Sequence, residues 1–172
     1  TGNAILTIGH SEATVPKLEQ VPDELLKEGD HIKVYVVDVK ESERGARIML
    51  SRTHPGLVKR LFEKEVPEIF DGTIEIKAVS RQAGSRTKIA VYSPDPEVDA
   101  VGACIGPKGE RVNNIVNELA GEKIDIVKYS DDPTLFVAEA LSPARVARVE
   151  IESEDPKVCK ASVPEEQLSL AI

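Results

Sequence analysis

The 172-residue sequence predicts an α+β chain in three unequal parts: an incomplete small β-barrel, one complete unit of mixed helices and strands, and the opening of a second such unit. Three observations carry this prediction. Up to residue 53, short β-branched runs alternate with turn-forming residues, the pattern of a small barrel. From Pro55 the pattern becomes helix, strand, strand, helix, glycine turn, helix, strand, helix. From residue 145 a strand, a proline and an apolar helix recur in the order already used over residues 89–106.

Residues 3–8 read as a short strand, broken by Gly9-His10-Ser11-Glu12-Ala13. Residues 24–30 read as one helical turn closed by Gly29, feeding a β-branched strand over 31–39. Glu43-Arg44-Gly45-Ala46 predicts a hairpin turn, with residues 47–51 as the returning strand. About fifty residues make a thin core, so the barrel is expected to be a piece lacking its opening strand. Thr1 in place of a start methionine fits a partial chain.

Pro55 is placed to open a helix, with His54 pushed towards an extended backbone. Leu57, Val58, Leu61 and Phe62 then form one apolar stripe, and Pro67 ends it. Residues 73–80 alternate as a strand, and 89–92 close its hairpin. The turn proposed between them carries Arg81, Arg86 and Lys88 with no acidic residue, a cluster open to nucleic-acid contact, protein contact or plain solvation. After Pro96 an apolar helix runs to Ile105, and beyond the glycine turn Val112, Ile115, Val116 and Leu119 share one helical face, closed by Gly121. Residues 123–129 form a strand with Ile124 and Ile126 on one side, and Asp131-Asp132-Pro133 opens a last helix. The tail reads as a strand over 149–152, a turn at Glu154-Asp155-Pro156, a strand around Cys159, Ala161 and Val163, and the start of a helix over 168–172. A continuation beyond Ile172 is expected to bring a second Gly-x-x-Gly.

The composition narrows the function. Twenty-two basic residues against 30 acidic ones leave a net charge of −8, which argues against blanket phosphate neutralisation. Any nucleic-acid site must be local. With aromatics at 3% and no tryptophan, a grip built mainly on stacking is excluded. Cys104 and Cys159 lack the spacing of a disulfide framework or a zinc site and read as small core residues, suiting a reducing compartment. His10, His31 and His54 have no partner at a catalytic or metal-binding spacing, and Glu165 and Glu166 read as N-terminal helix charges. No metal, cofactor or catalytic residue is therefore assigned. His31 and Tyr35, on one strand face, are a candidate base-stacking pair. No apolar run reaches the ~18–20 residues of a membrane span, and no signal peptide is recognised.

The chemistry concentrates at Ile105-Gly106-Pro107-Lys108-Gly109-Glu110-Arg111. Two glycines three apart let a phosphate approach the main chain, the following helix aims its positive end at the same place, and Lys108 adds charge beside the stiffening Pro107. Lys108 is followed by Gly109 rather than Ser or Thr, so neither a P-loop nor a Gly-x-Gly-x-x-Gly fingerprint is present.

This element order resembles the bacterial, type II KH domain. The wording Ala83-Gly84-Ser85-Arg86-Thr87-Lys88-Ile89-Ala90-Val91, the run from Val98 to Gly109, and Gly121-Glu122-Lys123-Ile124-Asp125-Ile126 resemble the NusA family of bacterial transcription factors. Ser51-Arg52-Thr53-His54-Pro55 resembles the join in that family between an OB-type barrel and the first KH domain. The resemblance implies a partial OB-type barrel over 1–53, a first KH domain over 54–144, and the start of a second over 145–172.

It also implies a cytoplasmic factor that binds single-stranded nascent RNA and modulates polymerase pausing, termination and antitermination. RNA polymerase would be reached mainly through an N-terminal domain outside this chain, with other antitermination factors as further partners and no membrane. Mapped onto this sequence, Gly106, Pro107, Lys108 and Gly109 hold phosphates over an apolar floor of Ile105, Val112 and Ile126. Arg111 is a second charge and Asn114 a polar reader; for Val112 a plain core role stays open. The alternatives are a KH module of a ribosomal or RNA-processing protein, a nucleotide-binding enzyme using the glycine turn, and a protein-interaction piece.

Overall fold

The computed structural model describes residues 2–43 and 45–172. Its N-terminal part is one open four-stranded sheet. β1 (Ala4–Ile8) and β2 (Ser11–Val15) form an antiparallel hairpin, and β3 (Tyr35–Ser42) pairs antiparallel with β4 (Gly45–Ser51), in the order β1-β2-β4-β3. A single parallel pair, Thr14 with Met49, joins the two hairpins. The core is as thin as the length implies: Ala13, Val15 and Leu50 are buried, flanked by Ala4, Leu6, Val34 and Ile48.

Three expectations change here. The segment 9–13 breaks the chain only at Gly9 and His10, after which Ser11 to Val15 continue as a strand, with Ala13 and Val15 alternating inwards. Residues 24–30 form no helical turn, and the Glu24 side chain pairs with Arg52; a turn remains at residues 27–30, where Asp30 accepts the Lys27 N–H. The strand expected from residue 31 starts at Tyr35. The turn expected at 43–46 includes Arg44, which lies outside the described residues.

The middle module begins with α1 (Pro55–Glu65), its first turn capped by His54 Nδ1, which accepts the Gly56 N–H. Leu57, Val58, Leu61 and Phe62 are buried as their spacing required, each contributing about 2 kcal/mol of apolar transfer. α2 (Pro67–Phe70) is a short turn with Ile69 inside. β5 (Glu75–Gln82) and β6 (Arg86–Tyr92) pair antiparallel; then come α3 (Ala100–Ile105), a 3-10 turn at Pro107–Gly109 and α4 (Glu110–Glu118). β7 (Lys123–Lys128) lies parallel to β6 as the outer strand of the order β5-β6-β7. The helices cover one sheet face around Phe62, Ile89, Val91, Cys104, Ile115 and Leu119. α5 (Pro133–Ala140) contacts both β7 and the next strand. β8 (Arg148–Glu154) and β9 (Lys157–Ser162) form the tail hairpin, followed by a 3-10 turn and α6 (Leu168–Ala171).

Arg52 joins the barrel to the middle module. Its side chain is 1% exposed, pairs with Glu24 through two nitrogens, and donates to Lys33 O at 2.6 Å, Glu118 O at 3.1 Å and Glu118 Oε1 at 3.4 Å. Tyr35 of β3 stacks on His54, ring centroids 4.5 Å apart and 7° from parallel, over a Gly56 whose missing Cβ leaves the room. Tyr35, expected with His31 to stack on bases, instead stacks on His54 across the joint.

Candidate nucleic-acid interface

The glycine turn is held in a conformation that its sequence makes affordable only at two places. Gly106 has φ 76° and ψ 173°, a region open essentially to glycine, and Gly109 has φ 77° and ψ 14° in the left-handed region. Between them Lys108 is also left-handed, φ 52° and ψ 23°, a strained state for a side chain with a Cβ. The Gly109 N–H donates to Gly106 O at 3.1 Å, and the Gly106 N–H to Gly102 O at 2.9 Å. Lys108 is exposed, and no side chain caps the N-terminus of α4 at Gly109.

Beside this turn runs a groove of about 300 Å³ lined by Ile105, Val112, Ile124 and Ile126, with Asp125, Val127, Ser142 and Pro143 along its far side. The three residues expected as a floor, Ile105, Val112 and Ile126, come together in it. Ile105 is 39% exposed, and Val112 is half-buried, serving both the groove and the core. Ile124 was legible as a lining residue, since it alternates in phase with Ile126. Burial pushes the thiol of Cys104, one residue before the groove, up to about 12, with Glu68 adding and Arg111 opposing. It is an inert core residue, as expected; Cys159, by contrast, is exposed.

The charged candidates are placed differently. Arg81 is not in a solvated turn: strands extend to Gln82 and resume at Arg86, and the Arg81 side chain is fully buried against Glu122. It bonds both Glu122 oxygens at 3.1–3.2 Å and donates to His54 O at 3.0 Å. Glu122 also accepts from Gly84 N–H and Thr87 Oγ1. Arg86 faces Asp125 at 3.6 Å, and Lys88 Nζ donates to Ala140 O and Ser142 O. Arg81 and Lys88 are taken up by acceptors from the turn before β7 and the end of α5, remote in sequence, while Arg86 stays exposed beside Asp125.

Arg111 turns back onto the protein, and Asn114, though exposed, bonds across to α1. Arg111 Nη1 donates to Ala103 O at 2.7 Å and pairs with Glu68 at 3.0 Å, while Asn114 Nδ2 donates to Glu65 Oε2 at 3.2 Å. Nothing in the sequence around Glu65 or Glu68 signalled either partner. The structure therefore brings together Ile105, Gly106, Pro107, Lys108, Gly109, Val112 and Ile126, ties Arg81, Lys88 and Arg111 to acceptors within the protein, and leaves Arg86 and Asn114 exposed, each beside an acidic side chain.

The family model described as "NusA-like first KH domain" matches residues 52–129, and that described as "NusA-like second KH domain" matches residues 133–172. The "Transcription termination/antitermination protein NusA" of Bacillus subtilis is 57% identical over 167 residues, covering 97% of this chain and 45% of that protein. The protein of the same description from Halalkalibacterium halodurans is 56% identical over 165 residues, with 96% and 43% covered. That from Thermus thermophilus is 44% identical over 171 residues, with 99% and 44% covered. The chain spans less than half the length of these relatives.

Proposed function

The chain belongs to the NusA family, and on that premise we propose that it grips single-stranded RNA in the groove beside Gly106-Pro107-Lys108-Gly109. The observation that carries this reading is the meeting of the open turn with a partly exposed apolar floor. The glycines admit phosphates to the main chain, the positive end of α4 and Lys108 supply charge, and bases lie over Ile105, Val112, Ile124 and Ile126. β7 is the sheet's outer strand, so its free edge offers backbone groups to base edges. About four nucleotides fill such a site.

Within the whole factor, this grip on nascent RNA serves to modulate pausing, termination and antitermination by RNA polymerase, in the bacterial cytoplasm. The names of the relatives support this. The polymerase is met mainly by a segment outside this chain, and other antitermination factors are further partners. We divide the chain at residues 53/54 and 144/145 into a barrel portion, a first KH module and the start of a second. No catalytic role is assigned.

The test is a titration with single-stranded RNA and, separately, ATP at two salt concentrations, repeated on the Pro107→Asp/Lys108→Asp variant. RNA binding is expected, with a log–log salt slope of about −1.5 to −2 for two or three phosphates, and is lost in the folded variant. A folded variant that keeps its RNA affinity, or a wild-type chain that saturates with ATP instead, overturns the assignment.

A further inference from the structure

We propose that Arg111 is a positioning residue of the RNA clamp, which it sets through Glu68 and the end of α3 without touching a phosphate. The proposal rests on the RNA reading of the glycine turn. Four observations converge on it. The aliphatic part of Arg111 fills the space over Gly106: a Cβ built there would meet Arg111 Cγ at 2.6 Å and Cδ at 2.9 Å. Its guanidinium ties the Ala103 carbonyl, in the last turn of α3, to the Glu68 carboxylate of α2. Three residues further along α4, Asn114 repeats the arrangement against Glu65, three residues before Glu68, so α4 is fastened to α1 and α2 at two successive points. The Arg111 side chain is only 26% exposed, with its charge already compensated.

A cation in that state makes a poor phosphate ligand, because recruiting it would strip Glu68 and a backbone carbonyl of their donor. It makes an effective spacer. The end of α3, the Gly106 turn and the first turn of α4 are all referenced to one rigid side chain. The separation between turn and groove floor therefore depends on a carboxylate in α2 that no RNA atom needs to reach.

The two roles differ in the sign of one measurement. A phosphate-contacting Arg111 would be freed by removing Glu68, and the loss of a nearby carboxylate would tighten RNA binding. A positioning Arg111 loses its anchor, and binding weakens. The experiment measures affinity for an unstructured single-stranded RNA by anisotropy over a salt series, on the wild-type chain, Glu68→Ala, Arg111→Met and the double variant. Each single variant is expected to lose affinity about tenfold, a decade corresponding to about one charge-assisted hydrogen bond. The salt slope should stay unchanged, and the double variant should bind no more weakly than Arg111→Met.

Tighter or unchanged binding by Glu68→Ala overturns the proposal. So does a slope reduced by about 0.7 in Arg111→Met, the signature of one lost phosphate contact on a single strand. Glu68 lies at the surface, so its variant decides the matter even where Arg111→Met fails to fold. Failure of the RNA reading itself has another signature: the Pro107→Asp/Lys108→Asp variant would then bind as the wild-type chain does.

Discussion

Replacing Glu122 by glutamine should unfold the KH module far more readily than its size suggests. Glu122 and Arg81 have no exposed side-chain surface, and the carboxylate accepts from Arg81, from Gly84 N–H at 2.6 Å and from Thr87 Oγ1 at 2.9 Å. Each oxygen faces donors, so an amide nitrogen in either place opposes one of them, and Arg81 is left as a buried, uncompensated charge. Breaking a pair of this kind costs about 3–5 kcal/mol. With a urea slope of about 2 kcal/mol/M, the midpoint falls by about 1.5–2.5 M. Thr87→Val removes one donor of several and should cost about 1 kcal/mol. Arg81→Met/Glu122→Leu removes both charges and should recover only part of the loss, because Gly84 N–H and the Thr87 hydroxyl lose their acceptor. Urea unfolding followed by circular dichroism measures all three. A Glu122→Gln midpoint within about 0.5 M of wild type at an unchanged slope would refute the reasoning.

Three further outcomes are expected. Gly106→Ala combines a glycine-only backbone with a 2.6 Å approach to Arg111 and should cost about 2–5 kcal/mol, against about 1–2 kcal/mol for Gly109→Ala, whose Cβ meets only the Asn113 amide at 3.3 Å; equal losses in urea would contradict this. Arg52→Met leaves Glu24 without its cation and Glu118 with Lys33 alone, so limited proteolysis should cut between the barrel and α1 well before the KH module unfolds, and an unchanged cleavage pattern would count against the joint. The Asp132 carboxyl is held below its ordinary 3.8, first by the Thr134 side chain and then by the Thr134 N–H. A lowered folded value stabilises above the unfolded one and is lost as pH falls through the folded one, so the melting difference between wild type and Asp132→Asn should shrink on acidification; a constant difference would speak against the cap.

Local chemistry was legible where it stayed local. The α1 stripe, the hairpin of β5 and β6, the helices around the glycine turn and the alternation in β7 all follow from spacing within a few residues, and so does the groove floor. What escaped reading depends on partners far along the chain. Arg81 looks like a surface charge until Glu122, 41 residues away, is folded against it, and Arg111 until Glu68, 43 residues back, does the same. Glu24 reads as part of a helical turn, and its pairing with Arg52, 28 residues away, is invisible to local spacing. β2 was missed for a different reason. Its five residues carry only Ala13 and Val15 inwards, too weak an alternation to outweigh the turn-forming Gly9-His10-Ser11 before it.

The two glycines of the turn are written alike but answer to different masters. Gly109 is held by its backbone and by whatever ligand approaches it, since only the end of a flexible amide lies nearby. Gly106 is held from inside as well, by the methylenes of Arg111. Without any ligand at the turn, Gly109 would still be favoured by its left-handed backbone alone, whereas Gly106 is held by its backbone and by the arginine together. Half of the motif thus records the fold's own packing, and the other half is the better witness to what binds there.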